Sequence, residues 1–449
     1  MPAERLRVIG GGLAGCEAAW QAARLGIDVD LYEMRPHRRG PAHVSDRLAE
    51  LVCSNSMRGA ALENAVGLLK EELARLGSLI VTAARESAVP AGGALAVDRE
   101  RFAALVEGRI AENPRIALHR EEVLDLEDPR PTVVACGPLP GDAMLEAIDR
   151  IVSQVRVEGD APRRLHYFDA ASPIVAADSI DETVMYRKSR YEKGDGDDYI
   201  NIPLDRDEYA QLLHDLRTLP RHEAKAFESD TRFFEGCLPV EEMADRGDDV
   251  LRFGPLKPVG LRHPVTGVTP HAVVQLRKEN RDGSALNLVG FQTRLTWPAQ
   301  REAFGRLPGL ANAEWLRLGV MHRNTFIDSP RLLDERLRLR GDRPLWFAGQ
   351  ITGAEGYVEA AACGAMVGIH AARELLGRSP LAVPPECALG AVVAHLQNTV
   401  SHDFQPANVT WSMVPPLPKT IREKKLRRAA LAERALAALT LFIERVEAP

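Results

Sequence analysis

An α/β fold follows from three features of this chain. A short apolar stretch enters a glycine-rich turn near the start, "LRVIGGGLAGCEAAW". A second glycine-punctuated turn, "LWFAGQITGAEGYVEAAACG", opens a long run of small residues near the end. A short strand-like stretch, "TVVACGPLP", stands between them at 132–140. Strand, turn and helix in this alternation predict a parallel sheet covered by helices. At 449 residues the chain is too long for one simple core, and two domains are expected.

The first element is the best defined. "LRVI" reads as a buried parallel strand, and "CEAAWQAARLG" has helical periodicity with Gly26 as its stop. "DVDLYE" is the next strand, ending in Glu33. Between strand and helix, "GGGLAG" supplies Gly10, Gly11, Gly12, Leu13, Ala14 and Gly15, with Gly10, Gly12 and Gly15 in G-x-G-x-x-G spacing. Gly10 permits the tight turn, Gly12 lets a pyrophosphate approach the backbone, and Gly15 brings helix and strand together. The helix N-terminus attracts phosphate, and Glu33 can accept from ribose hydroxyls. With strand, helix, strand and terminal acid all in place, the motif specifies a Rossmann-like dinucleotide site. It does not by itself separate FAD from NAD.

The far end of the chain does. "LWFAG" is a strand ending in glycine, and "QITGAEGYVEAAACG" brings Gly349, Gln350, Gly353, Glu355, Gly356 and Tyr357 to the start of a small-residue helix. This resembles the closing FAD motif of the glutathione-reductase-like flavoproteins, and "TVVACGPLP" resembles the strand those proteins use between their halves. Cys136 stands there where threonine is usual. Residues 1–150 and 330–449 are therefore expected to form a discontinuous Rossmann-like FAD-binding domain of glutathione-reductase type. An α+β insertion domain over 151–329 interrupts it. Within the insertion, 191–201 reads as an exposed loop. The proline- and glycine-rich stretch 246–267 reads as irregular, functional backbone.

Net charge is −6, with 45% hydrophobic and 27% charged residues. That excludes a chain coated in basic residues for nucleic acid but leaves room for local basic patches. No stretch approaches the ~20 apolar residues of a membrane span, and the N-terminus has no signal-peptide pattern. The six cysteines, at 16, 53, 136, 237, 363 and 387, form no CxxC pair or zinc spacing. Isolated histidines add no metal site. A reducing cytoplasm is the expected location.

Several motifs together resemble one family, the folate- and FAD-dependent tRNA uracil-5-methyltransferases. They are "LVCSNSMRG", "DAASPIV", "YRKSRYEKG", "EGCLPVEEMADRG", "GPLKPVGL", "VGFQTRLTWPAQ", "MHRNTFID" and the two glycine turns. The last turn is shared with a larger relative, the flavoprotein that modifies the wobble uridine of tRNA. The resemblance implies an enzyme that forms ribothymidine at the T-loop uridine of tRNA. It also implies methylenetetrahydrofolate as carbon donor and FAD reduced by NADPH or NADH. Cys53 and Cys237 match the two functional cysteines of that family. No obligate protein partner is implied.

The chemistry explains why two thiols are needed. Uracil carbon 5 is a poor nucleophile until a thiolate adds at carbon 6. A base must later remove the carbon 5 proton, and a second cysteine with a lowered pKa can serve. The residues leave open which cysteine attacks, with Cys53 favoured and Cys237 then the base. For substrate, Asn55, Trp297, Arg323 and Asn324 are the candidates, with Trp297 and Tyr357 able to stack on flat rings. Ser54, Asn55 and Ser56 are expected to cap a helix starting at the cysteine, which would set the thiol at a positive dipole end. Arg187, Lys188, Arg190, Arg277, Lys278 and 419–428 are candidate phosphate contacts. Competing readings are the same chemistry on ribosomal RNA, a small-molecule FAD oxidoreductase, and a non-enzymatic binding module.

Overall fold

The computed structural model describes residues 5–156, 164–222, 238–398, 404–419 and 421–448. Its centre is a five-stranded sheet assembled from both ends of the chain. In chain order the strands are β1 (Leu6–Ile9), β2 (Val29–Tyr32), β3 (Ser56–Gly59), β4 (Ala88–Val89), β5 (Ala94–Val97), β6 (Ile116–His119) and β7 (Thr132–Val134). Then follow β8 (Arg164–Ala170), β9 (Ile174–Ala176), β10 (Tyr186–Arg187), β11 (Tyr199–Leu204), β12 (Ala272–Lys278), β13 (Ala285–Leu288), β14 (Trp315–Arg317), β15 (Met321–Ile327) and β16 (Leu345–Phe347).

The central sheet has the order β16-β7-β1-β2-β6, and every pairing in it is parallel. Such strands are covered on both faces and read as continuous apolar runs. Leu6, Val8 and Ile9 are buried, and so is Arg7, which donates from Nε to Thr132 Oγ1 at 2.9 Å. The chain leaves β1 towards β2 on one side and returns to β7 on the other. A crevice therefore opens at the carboxyl end of β1, where such sheets bind ligands.

Two helices seal this sheet from the two chain ends. Helix Leu13–Arg24 packs on helix Tyr357–Leu375. A Cβ at Gly364 would lie 2.3 Å from Ala14 O, and one at Gly368 would lie 2.4 Å from Ala18 O. The small-residue run noted in the sequence is the surface that allows this approach.

A six-stranded sheet, β10-β11-β12-β13-β9-β14, lies between Ile174 and Arg317. Its apolar residues form a second cluster around Val274, Leu276, Leu288, Phe291 and Phe304. Helix Arg206–Thr218 packs there and starts with a capping box between Asp205 and Glu208. The ribbon β8–β15 carries the chain into this region and back, pairing antiparallel from Arg164–Ile327 to Ala170–Met321. A small sheet, β3-β5-β4, stands beside the crevice. Among the described residues, no helix is long and apolar enough to cross a membrane, and no three His, Cys, Asp or Glu side chains could hold a metal ion.

Candidate active site

Two adjoining chambers occupy the crevice. The first has roughly 1080 Å³ of open space and is walled by Gly10 to Ala14, Glu33, Gly137 and Gly349. The second, of about 920 Å³, is walled by Cys53, Arg58, Gln292, Asn324, Glu355 and Asn408. Val52, Pro138, Leu139, Gln350 and Tyr357 line both, so the two chambers adjoin along these residues.

The first chamber has the properties a dinucleotide needs. A Cβ at Gly12 would meet nothing within 4 Å, which leaves a cradle open to a ligand. Gly12 precedes helix Leu13–Arg24, and no side chain caps that helix start, so its first N–H groups are available to phosphate. Gly10 has φ +109° and a Cβ there would lie 2.3 Å from Ala135 O. At Gly15 it would lie 1.8 Å from Gly10 O. Gly349, at φ +84°, and Gly356, at φ +105°, turn the chain from β16 into helix Tyr357–Leu375, whose start also lacks a side-chain cap. These residues fit FAD: the open cradle at Gly12 and the uncapped helix starts would hold its phosphates.

Glu33 ends β2 as the spacing predicts, but its carboxylate is already engaged. Oε1 accepts from Arg35 N at 3.0 Å and Arg35 Nε at 2.8 Å; Oε2 accepts from Gly11 N at 3.0 Å and Arg35 Nη2 at 2.9 Å. Four donors fill the four acceptor directions of a carboxylate. Burial alone would raise its pKa. The Arg35 bonds and charge outweigh that and hold Glu33 below the usual range. Its direct task here is to fix the glycine turn.

Cys53 does not start a helix. Ser54 Oγ accepts from Ser56 N and Ser56 Oγ accepts from Arg58 N, each at 3.1 Å, and the chain goes directly into β3. The serines serve local turns, which compete with helix formation, so the thiol does not sit at the start of a helix of its own. Cys53 N donates to Tyr357 Oη at 2.8 Å, tying the thiol segment to the FAD-side helix. Burial keeps the Tyr357 phenol protonated by pushing its pKa up. Burial also pushes the thiols of Cys136 and Cys363 up to about 12, and raises those of Cys16 and Cys387. Cys16, Cys363 and Cys387 are packing cysteines, while Cys136 lines the first chamber. Cys237 lies outside the described residues.

The substrate candidates separate. Asn324 is 1% exposed, lines the second chamber, and its Nδ2 has no hydrogen-bond partner among the described residues. A buried amide of this kind fits a polar ligand. Asn55, expected at the substrate, is instead fully buried. Its Nδ2 donates to Val97 O, Lys278 O and Glu279 O, and its Oδ1 accepts from Arg277. It joins the thiol segment to β12. Trp297 lines neither chamber and is 54% exposed at the start of helix Trp297–Gly305. Arg323 pairs through its backbone with Phe168, and its side chain lies outside the described part.

Two expected phosphate contacts also need correction. Arg277 is buried under Asn55, and Arg190 is spent on Lys257 O, Val259 O and Gln275 Oε1. Arg187 is exposed and paired with Glu182. Lys424, Lys425 and Arg427 are exposed at the start of helix Lys424–Glu447.

The sequence reading missed several chamber residues. Arg58, inside the cysteine motif, has φ +63° and pairs with the fully buried Glu359. Lys70 supports the strand under it, donating to Met57 O and Gly59 O at 2.8 Å. Burial, with Arg58 nearby, lowers its pKa to about 7. Asn408 Nδ2 donates to Glu355 O at 2.7 Å. Gln292 stood within a quoted motif; no pattern marked Asn408.

Residues 5–379 match the family model described as glucose inhibited division protein A. A Geobacter sulfurreducens protein named methylenetetrahydrofolate--tRNA-(uracil-5-)-methyltransferase TrmFO is 55% identical over 98% of this chain and 99% of its own length. A protein of the same name from Pelobacter propionicus is 54% identical over 99% of this chain and 96% of its own. The solved structure of Aquifex aeolicus GidA in the form II crystal covers 99% of this chain and 74% of its own, at TM-score 0.70 and 17% identity, a likeness of fold. The chain belongs to the glucose inhibited division protein A family and, within it, to the proteins named TrmFO.

Proposed function

We propose that this protein methylates carbon 5 of a uridine in the T-loop of tRNA, with methylenetetrahydrofolate as carbon donor. The observation that carries the reading is the placement of Cys53 in a chamber that adjoins the nucleotide cradle and shares Tyr357 and Gln350 with it. FAD in that cradle, reduced by NADPH or NADH, supplies the reducing equivalents.

Within the second chamber Cys53 adds to uracil carbon 6, makes carbon 5 nucleophilic towards the one-carbon unit, and is expelled again as a thiolate when the carbon 5 proton leaves. Cys237, from the segment before helix Val240–Asp245, is the base that takes the carbon 5 proton. Asn324 Nδ2 is placed to donate to a carbonyl of the base or the folate. Arg58 and Tyr357 wall the chamber, and the target base must leave its stack to enter. Lys424, Lys425 and Arg427 supply the exposed charge for RNA phosphates. Affinity for tRNA should then fall steeply with salt.

The two apolar clusters support a division into 1–150 with 330–449 as the FAD-binding domain and 151–329 as the insertion. A reducing cytoplasm, where tRNA and reduced thiols coexist, is the location this reading requires.

The test is transfer of isotope-labelled carbon from methylenetetrahydrofolate to unmodified tRNA transcript, with NADPH and FAD. Wild type should label ribothymidine, while Cys53→Ala and Cys237→Ala should lose at least about a thousandfold in rate and keep bound flavin. Full activity in either variant removes that cysteine from the mechanism. Label in ribosomal RNA alone would change the acceptor.

A further inference from the structure

Cys53 sits on a turn whose three carbonyls are all held by arginines from separate parts of the fold. Arg99, at the start of helix Arg99–Glu112, donates from Nη1 to Leu51 O and from Nη2 to Cys53 O, the latter at 2.7 Å. Arg317, the last residue of β14, donates from Nη2 to Val52 O at 2.7 Å. Glu279, just past β12 and 5% exposed, accepts from Arg99 Nε at 2.7 Å. One guanidinium therefore grips both ends of the turn and the other its middle. A planar fork can do this; a point charge cannot.

The charge count around the turn is uneven. Two guanidiniums share one carboxylate, Glu279, and both are in electrostatic contact with the Cys53 sulfur. Burial lowers the Arg317 pKa, and Arg99 beside it adds to that effect. The other charged groups of the chamber, among the described residues, are hydrogen-bonded or paired away from this turn. Arg58 pairs with Glu359, Glu355 is held by Gln350 Nε2, Arg277 lies under Asn55, and Tyr357 is an uncharged phenol. A negative sulfur at Cys53 would balance the surplus. Nearby cations favour the thiolate, which is the nucleophilic form.

We propose that Arg99 and Arg317 are positioning residues that aim Cys53 into the second chamber and hold it as a thiolate through the clamp on the Leu51–Cys53 carbonyls. This rests on the reading of Cys53 as the working thiol. The insertion region, through Arg317 and Glu279, thus completes the activation of a cysteine carried by the other part of the chain. Misplacing that region would switch off the thiol without touching it.

The experiment is alkylation of the flavin-loaded protein by iodoacetamide over roughly pH 5 to 10, with labelling of the Cys53 peptide followed by mass spectrometry. In wild type the midpoint should fall clearly below the ordinary thiol value of ~8.5. Arg317→Gln should raise it by about one unit. Arg317→Lys should restore the midpoint through its charge, yet leave methyl transfer at least about tenfold slow because it cannot hold the carbonyl in the same geometry. Arg99→Lys should behave as Arg317→Lys does, and it stands in if Arg317→Gln fails to fold. The same midpoint in wild type, Arg317→Gln and Arg317→Lys would overturn the electrostatic half. Unimpaired transfer in both lysine variants would overturn the aiming half. A wild type that shows the shifted midpoint but never labels tRNA would instead remove the proposed function and leave the clamp standing.

Discussion

The two chambers meet at Tyr357 but are built on opposite plans. The nucleotide cradle is made of backbone: glycine turns at both chain ends, two helix starts without side-chain caps, and a carboxylate spent on holding the turn. The thiol chamber is made of side chains from β3, β15, the turn after β16 and the segment around Asn408. The first tolerates change in side chains that do not touch it, but not an added Cβ. The second depends on distant residues finding one another, and each contact is a place where it can loosen.

The largest expected effect comes from breaking the backbone plan. Gly15→Ala sets a methyl where Gly10 O already lies 1.8 Å away, so β1 and helix Leu13–Arg24 must part. The purified protein should carry almost no flavin and should melt at a clearly lower temperature, read by flavin absorbance per chain and by thermal unfolding. Retention of full flavin would mean that the cradle does not rest on this close approach.

Asn55→Ala attacks the other plan. It leaves Val97 O, Lys278 O, Glu279 O and the Arg277 guanidinium without their partner in a buried site. The cost should be about 3 kcal/mol of stability, measured by denaturant unfolding, with slowed methyl transfer and unchanged flavin content at low temperature. Loss of flavin in step with activity would show that the two chambers are one mechanical unit. Trp297→Ala sharpens the contrast from the other side. The ring is half exposed and lines neither chamber, so stability should change by about 0.5 kcal/mol or less and flavin content not at all.

How much was legible in the sequence follows the same division. The cradle could be read because its parts lie close together in the chain: Gly10, Gly12 and Gly15 follow a strand and open a helix, and the spacing itself carries the geometry. The parallel sheet and the long small-residue helix were readable for the same reason. Around Cys53 the local pattern misled. Ser54 and Ser56 look like helix caps, yet they close tight turns into β3. Asn55 looks like a ligand donor, yet its partners come from β12 and β5. Arg190 and Arg277 look like surface charge because residue type says nothing about which carbonyl or amide a guanidinium will meet. Arg99 and Arg317 carried no motif at all; only the fold brings them to one turn.

The contact of Ala14 and Ala18 with Gly364 and Gly368 has a consequence for how the chain is made. During synthesis the first helix leaves the ribosome long before its partner exists. Its apolar, small-residue face must wait while the whole middle of the chain emerges, and the six-stranded sheet, whose strands lie between Ile174 and Arg317, can close first. Domains fold as their residues become available, and exposed apolar surface invites association in the meantime. A nascent chain stalled before residue 364 would therefore present an unfinished nucleotide site beside a finished insertion. That makes emergence of the helix Tyr357–Leu375 the step that completes the nucleotide site.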